Sequence, residues 1–354
     1  MGPAPIPRNI NTRPTRAAMI IVSCILMIMT VPLAYADHDD VYSFDGLTVV
    51  FIDLGKKGDS TLIKFPNNKT MLIDGGLASS YPRIQGTLYA FDISTIDVML
   101  VTHPDQDHVS GLSAMLERGI VDVRQILIGP AYKDTATYQK FLALAPNEEV
   151  IYAGYEIDLD PDVSVTVLSP PESMIQKGTN ASFENSNSVV VLLDYGNLEF
   201  LFTADATHTT ERWLMQNYDE ELDVDVMNSP HHGSKHSSTP RFISSTDPKL
   251  VVHSADTDNQ YGHPHEETIQ RYLSYDVSQV QTNSGNIILQ TDGTRCSLMS
   301  SANLAVEQPC FDGVHTVPEF GGLLVVMILA TALAVVLTVG RTRGLGIVYA
   351  MGRN

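Results

Sequence analysis

Residues 101–112, "VTHPDQDHVSGL", place His103, Asp105, Asp107 and His108 within six positions, directly after the apolar run "TIDVMLVT" (95–102). That run is too short and too rich in β-formers for a helix and reads as a buried strand. His103 therefore stands at a strand's C-terminal end, where open α/β folds place their ligand sites. Imidazole and carboxylate are the side chains that bind divalent metals. Four in one tight loop can serve two adjacent ions, but two ions need more ligands than four.

Three further clusters offer them. "FTAD" (202–205) ends an apolar run with Asp205, a carboxylate able to bridge two metals. "SPHHGSKHSS" (229–238) carries His231, His232 and His236, and "YGHPHEE" (261–267) carries His263 and His265. Seven of the 11 histidines fall in these clusters and the H-x-D-x-D-H loop, more ordering than chance placement supplies. His236 reads as an ordinary loop residue.

The elements between the motifs alternate. "LTVVFID" (47–53), "STLIKF" (60–65), "KTMLID" (69–74) and "VRQILIG" (123–129) read as strands, with "GKKGD" (55–59) and "PNN" (66–68) as turns. "GLSAMLERG" (111–119) and a segment near 134–144 read as helices. In the second half, "VSVTVLS" (163–169), "DVDVMNS" (223–229), "PKLVVHS" (248–254) and "GNIILQTDG" (285–293) read as strands. "SVVVLLDYGNLEFLFTAD" (188–205) reads as a hairpin, and 207–218 and 264–275 as helices. This mixture predicts an α/β fold of sheets covered by helices.

Taken in order, these motifs resemble the metallo-β-lactamase superfamily, and within it the hydrolase domain of the ComEC-type competence proteins. The resemblance runs through "FIDLGKKGDSTLI" (51–63), "LIDGG" (72–76), the 101–112 loop, "ENSNSVVVLLDYGNLEFLFTAD" (184–205), "PHHGSKHSS" (230–238) and "YGHPH" (261–265). It implies an αββα four-layer sandwich and a divalent-metal hydrolase with two ions. His103 and Asp105 would bind the first ion, Asp107 and His108 the second, and Asp205 would bridge. Either His231 or His232 would complete the second site. Asp74 would orient the loop through hydrogen bonds. His263 and His265 would line the cleft and stabilise charge developing on the substrate, and Asp107 could accept a proton. Two departures from the wider superfamily's usual H-x-H-x-D-H pattern stand out. Asp105 occupies the second histidine position, and no histidine precedes the central hairpin, where Glu184, Asn185, Ser186 and Asn187 stand. More oxygen and less imidazole shift preference from zinc toward manganese or magnesium.

The resemblance implies phosphodiester substrates, DNA first among them. Two bound ions can activate a water and neutralise charge on the attacked group. Ester, lactone or thioester hydrolysis is the alternative that the same chemistry allows, and a non-catalytic metal-binding surface module is the third. DNA uptake would require a channel from a separate protein.

The chain ends read as targeting segments. Residues 1–36 combine Arg13 and Arg16, an apolar stretch and "AYA" before a cleavage point at Ala36, as in a signal peptide. Residues 37–300 would form the hydrolase domain and 301–320 a linker. Residues 321–343 open with twenty uncharged positions followed by Arg341 and Arg343, a membrane anchor with a cytoplasmic tail at 344–354. "VPEFGG" (317–322) resembles a PEFG-type archaeal surface-sorting signal. Together they predict an extracytoplasmic protein held at the cell membrane. Cys296 and Cys310 would then meet oxidising conditions that permit a disulfide. Between the ends, 16 basic residues face 41 acidic ones, a net charge of −25. Such a surface opposes nucleic-acid binding through many phosphate contacts. Lys56, Lys57 and Lys235 near the motif loops could form a local basic patch.

Overall fold

The computed structural model describes residues 46–256 and 259–302 and the short strand Gln308–Pro309. The signal, anchor and sorting segments read at the two ends lie outside these residues. Among the described residues, no helix is long and apolar enough to cross a membrane.

The first sheet is built from β1 (Leu47–Phe51), β2 (Thr61–Lys64), β3 (Thr70–Ile73), β4 (Thr95–Val101), β5 (Asp122–Ile128) and β6 (Glu149–Val150). The second takes β7 (Ser164–Ser169), β8 (Val190–Tyr195), β9 (Leu198–Phe202), β10 (Val226–Asn228), β11 (Leu250–His253) and β12 (Ser278–Gln281). The chain then returns to the first sheet with β13 (Ile287–Thr291), β14 (Cys296–Ser300) and β15 (Gln308–Pro309). Among the described residues the orders are β15-β14-β13-β1-β2-β3-β4-β5-β6 and β12-β11-β10-β9-β8-β7. Each sheet changes sense partway. β1 to β3 pair antiparallel and β3 to β6 parallel, while β7 to β9 pair antiparallel and β9 to β12 parallel.

β1 is buried at every position because it lies between β13 and β2 in the middle of its sheet. Its Val49 and Phe51 meet Val191, Phe200 and Phe202 of the second sheet in one apolar layer, with the Phe51 and Phe202 rings 6.1 Å apart. The outer face of the second sheet (Leu168, Val190, Leu201, Met227, Val251) is covered by Leu214, Phe242, Ile243 and Tyr272 of its helices. On the first sheet's side, helices Tyr81–Ala90 and Gln106–Arg118 bury Ile84, Leu88, Leu112 and Met115. The result is the expected αββα order of layers.

Several elements differ from their sequence reading. The helix expected from residue 111 begins at Gln106, with Asp105 as its extended N-cap. Asp107 and His108 thus sit in a helical first turn instead of a loop. Gly111 suggested a helix start, but its role is contact. A Cβ there would lie 1.7 Å from the Gly75 carbonyl oxygen. The absent side chain lets Gly111 N–H donate to Gly76 O (2.9 Å) and Gly75 N–H donate to His108 O (2.8 Å). The helix is thereby bound to the "LIDGG" turn. The helix Tyr81–Ala90 and strands β6, β12, β14 and β15 were not marked by the sequence pattern. Cys296 is disulfide-bonded, and its expected partner, Cys310, lies outside the described residues.

One histidine outside the motifs is a stability determinant. His253, at the end of β11, is buried, and its Nε2 meets Gln279 Oε1 at 2.9 Å. Burial pulls its pKa down to about 4, whereas an unfolded histidine titrates near ~6.5. Between these values the unfolded chain binds a proton that the folded chain refuses. Stability therefore falls as pH drops through that window and changes no further below it. Denaturant unfolding of the full-length protein at pH 7 and pH 4.5 should show about 2 kcal/mol of acid loss from this residue. The His253→Gln variant should lack that component.

Candidate metal centre

The strands that run parallel end together at one edge of the sandwich, and the motif residues lie there. Asp74 follows β3, His103 follows β4, Asp205 follows β9, and His231 and His232 follow β10. Asp59 arrives from the turn between β1 and β2. Backbone conformation at these ends is unusual. Asp74 (φ 54°), Ala204 (φ 47°), His231 (φ 51°) and His232 (φ 57°) all adopt the left-handed region. Each costs roughly 1–3 kcal/mol, and such residues concentrate where function requires a particular side-chain direction.

Asp205 lies at the centre. Its Oδ1 is 3.3 Å from His108 Nε2 and 3.2 Å from His232 Nε2. Its Oδ2 is 3.6 Å from His103 Nε2 and 3.4 Å from His231 Nε2, and accepts a hydrogen bond from Asn185 Nδ2 at 3.0 Å. Asp107 Oδ2 lies 3.7 Å from His232 Nε2. The trios Asp107/His108/His232, Asp59/His108/Asp205 and Asp74/His103/His108 each bring ligand atoms close enough to hold a cation.

Outer carboxylates aim the imidazoles. Asp74 accepts from Thr102 N (2.9 Å) and Thr102 Oγ1 (2.6 Å), and its Oδ2 lies 2.7 Å from His108 Nδ1. This presents His108 Nε2 to the cluster. Asp59 Oδ2 faces His232 Nδ1 at 3.6 Å, an ion-pair separation longer than a hydrogen bond. The "GKKGD" turn reaches this position because Gly58 (φ +128°) passes close by the ligand helix. A Cβ there would lie 2.4 Å from Asp107 O.

These donors fit a cation. His103 Nε2, His108 Nε2, both His232 nitrogens, Asp205 Oδ1 and both Asp59 oxygens are buried and lack a hydrogen bond of normal geometry. Each such group costs about 1–3 kcal/mol if left unsatisfied. Electrostatics give the same answer. Burial pushes His108 and His232 down, but Asp205 together with Asp74 or Asp59 overrides it, holding His108 well above its usual value and His232 at about 10. Burial pushes the Asp205 carboxyl up, and His231, His232 and His108 override it, keeping it well below the usual carboxylate range. The buried carboxylates thus make this pocket a place that favours positive charge.

The structure places the sequence-predicted residues unequally. His103, Asp107, His108, Asp205 and His232 converge, with Asp74 behind them. Asp105 stands apart from the clustered trios, and its Oδ1 accepts from Lys133 Nζ at 2.7 Å. Among the described residues, His231 pairs with Asp205, and 28 % of its side chain is exposed. His263 and His265 form one wall, their rings 4.8 Å apart and His263 5.8 Å from His231. Burial and the neighbouring imidazoles pull His263 down to about 3. Asn185 occupies the segment that lacks a histidine, and holds Asp205 by its amide. Asp59, in the "GKKGD" turn, joins the site as well, and its signal in the sequence is an acid directly after a glycine turn between two core strands.

This is the ligand arrangement of a metal-dependent hydrolase centre, and the chain belongs to the metallo-β-lactamase superfamily, whose family model matches residues 55–254. It is similar to ComE operon protein 3 of Bacillus subtilis, at 27% identity over 261 residues, covering 68% of this chain and 32% of that protein. It is also similar to competence protein ComA of Neisseria gonorrhoeae, at 24% identity over 226 residues, covering 64% of this chain and 30% of that protein. The chain thus spans about a third of the length of these curated relatives. Among solved structures, a putative metal-dependent hydrolase from Parabacteroides distasonis aligns at 14% identity and TM-score 0.44, covering 66% of this chain and 92% of that one. YhfI from Bacillus subtilis, a metallo-β-lactamase fold protein, aligns at 12% identity and TM-score 0.45, covering 70% and 100%.

Proposed function

We propose that this protein is a divalent-metal-dependent phosphodiester hydrolase acting outside the cytoplasm, with DNA as the first candidate substrate. The observation that carries the reading is the set of buried, unsatisfied histidine and carboxylate atoms converging on Asp205. One protein it is similar to, ComA of Neisseria gonorrhoeae, is named for competence, a DNA process. The signal-like and anchor-like ends support an extracytoplasmic, membrane-held location, and a role in DNA uptake would need a separate channel protein.

His103, Asp107, His108, Asp205 and His232 would hold the metal. Divalent ions bound there would supply Lewis acidity and neutralise charge on a phosphate. With Asp105 held by Lys133, the oxygen bias read from the sequence is lost, and the remaining three imidazoles and two carboxylates suit zinc or iron as well as manganese. Asp107 stays ionised. Burial raises its carboxyl, but His232 and His108 hold it well below the usual range. It therefore serves as a ligand and hydrogen-bond acceptor near neutral pH. His263 and His265, both pulled down by burial, are neutral there. Each can donate one N–H to an oxygen gaining charge without adding fixed charge to the wall.

The test uses full-length protein stripped by a chelator and reloaded with manganese, magnesium or zinc in turn. Cleavage of DNA or bis(p-nitrophenyl) phosphate should vanish on stripping and return with metal. Reloaded protein that carries metal and cleaves neither would move the reading to esters, lactones or thioesters. Protein that takes up no metal would overturn the reading, and metal-loaded protein inactive on all of these substrates would be the non-catalytic metal-binding module.

A further inference from the structure

Two lysines reach the entrance of the ligand helix. Lys57, in the "GKKGD" turn, places Nζ 2.7 Å from Asp107 Oδ2 and 4.5 Å from the centroid of the Tyr261 ring. Lys133, in the segment after β5, places Nζ 2.7 Å from Asp105 Oδ1. Among the described residues, these are the lysines paired with carboxylates of the H-x-D-x-D-H motif. Lys235, also near the cleft, pairs with Glu267 instead. The two side chains are 28 % and 37 % exposed, so their ammonium groups stand between the buried cluster and solvent.

The Lys57 contact conflicts with the cation site. Asp107 belongs to the trio Asp107/His108/His232, and the oxygen that Lys57 holds is the one facing His232. An ammonium and a divalent cation on one carboxylate oxygen repel each other, and the dication has the stronger attraction. Lysine is a point charge on a flexible stem, so it can yield toward the mouth. There the Tyr261 ring, 47 % exposed, offers a cation–π face. An anionic substrate group placed at the cation would give both ammonium groups a charge-assisted partner. A neutral ester would offer an oxygen acceptor without the opposite charge.

We propose that Lys57 and Lys133 are the substrate-phosphate contacts of this cleft and select an anionic phosphodiester over a neutral ester. The proposal rests on the phosphodiesterase reading above and names residues that read the substrate. It also reconciles a phosphate substrate with a net charge of −25 over the central chain, because the attraction is confined to the cleft.

The test is equilibrium dialysis of labelled inorganic phosphate against manganese-loaded full-length protein, which needs no turnover. Lys57→Gln and Lys133→Gln should each bind phosphate about tenfold more weakly, the loss of one charge-assisted hydrogen bond. Bound manganese should be equal or greater in Lys57→Gln, and Lys57→Arg should retain phosphate binding. Unchanged phosphate binding in both glutamine variants would overturn the proposal. So would loss of manganese, which would make the lysines supports of the ligand helix. Turnover of bis(p-nitrophenyl) phosphate by the wild type, measured alongside, reports separately on the phosphodiesterase reading.

Discussion

Asp205→Asn should reduce metal affinity at least about a hundredfold, the scale of one ligand's share in a site of several ligands. The side chain keeps its shape but loses the charge that His103, His108, His231 and His232 all face within 3.6 Å. The amide also puts a donor where one of two acceptors stood, against an imidazole nitrogen or the Asn185 amide. Metal content after dialysis, read by mass spectrometry, should fall to background, and hydrolysis should fall at least in proportion. The expectation fails if Asp205→Asn retains wild-type metal, since Asp205 would then be a buried structural acid.

Asp59→Asn is the second large effect, and it probes a residue that faces His232 and also lies within ligand range of His108 and Asp205. Asp59 is buried, and its Oδ2 faces His232 Nδ1 at 3.6 Å. Removing its charge should let the imidazole turn and lose basicity. Outer carboxylates of this kind are typically worth about 10–100-fold in metal affinity. Asp74→Asn should behave similarly through His108, with an added structural cost. Asp74 also binds the Thr102 amide and hydroxyl that end β4. Isothermal titration with manganese would separate the two. The expected pattern is weakened binding in both, with thermal stability lowered mainly in Asp74→Asn. Wild-type affinity in Asp59→Asn would mean that His232 is aimed by its own backbone alone.

The sequence pattern resolved what local chemistry controls. A strand followed by clustered histidines and acids was visible at residue 103, and the same signal recurred at 205 and 231. Apolar runs of strand length marked most of both sheets, because a strand buried on both faces must be apolar. Strands with polar or short patterns, such as β6 and β12, carried no such mark. Their pairing comes from neighbours: β12 pairs through Ser278–Gln281 only because β11 lies beside it.

Within the site, spacing could nominate ligands but not orient them. Asp105 and Asp107 look equivalent in the sequence. The helix begins between them, leaving Asp105 extended (φ −71°, ψ 147°) and turning Asp107 inward. Asp105 therefore meets Lys133, and Asp107 meets His232 and Lys57. His231 and His232 could not be separated in sequence either. Two successive left-handed residues send them to different oxygens of Asp205.

Residue order and type were thus sufficient for the α/β class and the pool of ligand candidates, because each rests on patterns a few residues long, whereas the αββα arrangement came only as what the family resemblance implied. Folding decided which candidates meet, which imidazole faces which oxygen of Asp205, that Asp59 stands opposite His232 and that two lysines guard the acids. These contacts join segments far apart in the chain, and their geometry is set by where helices start and where the backbone turns left-handed. A linear pattern carries no record of either until the two sheets pack.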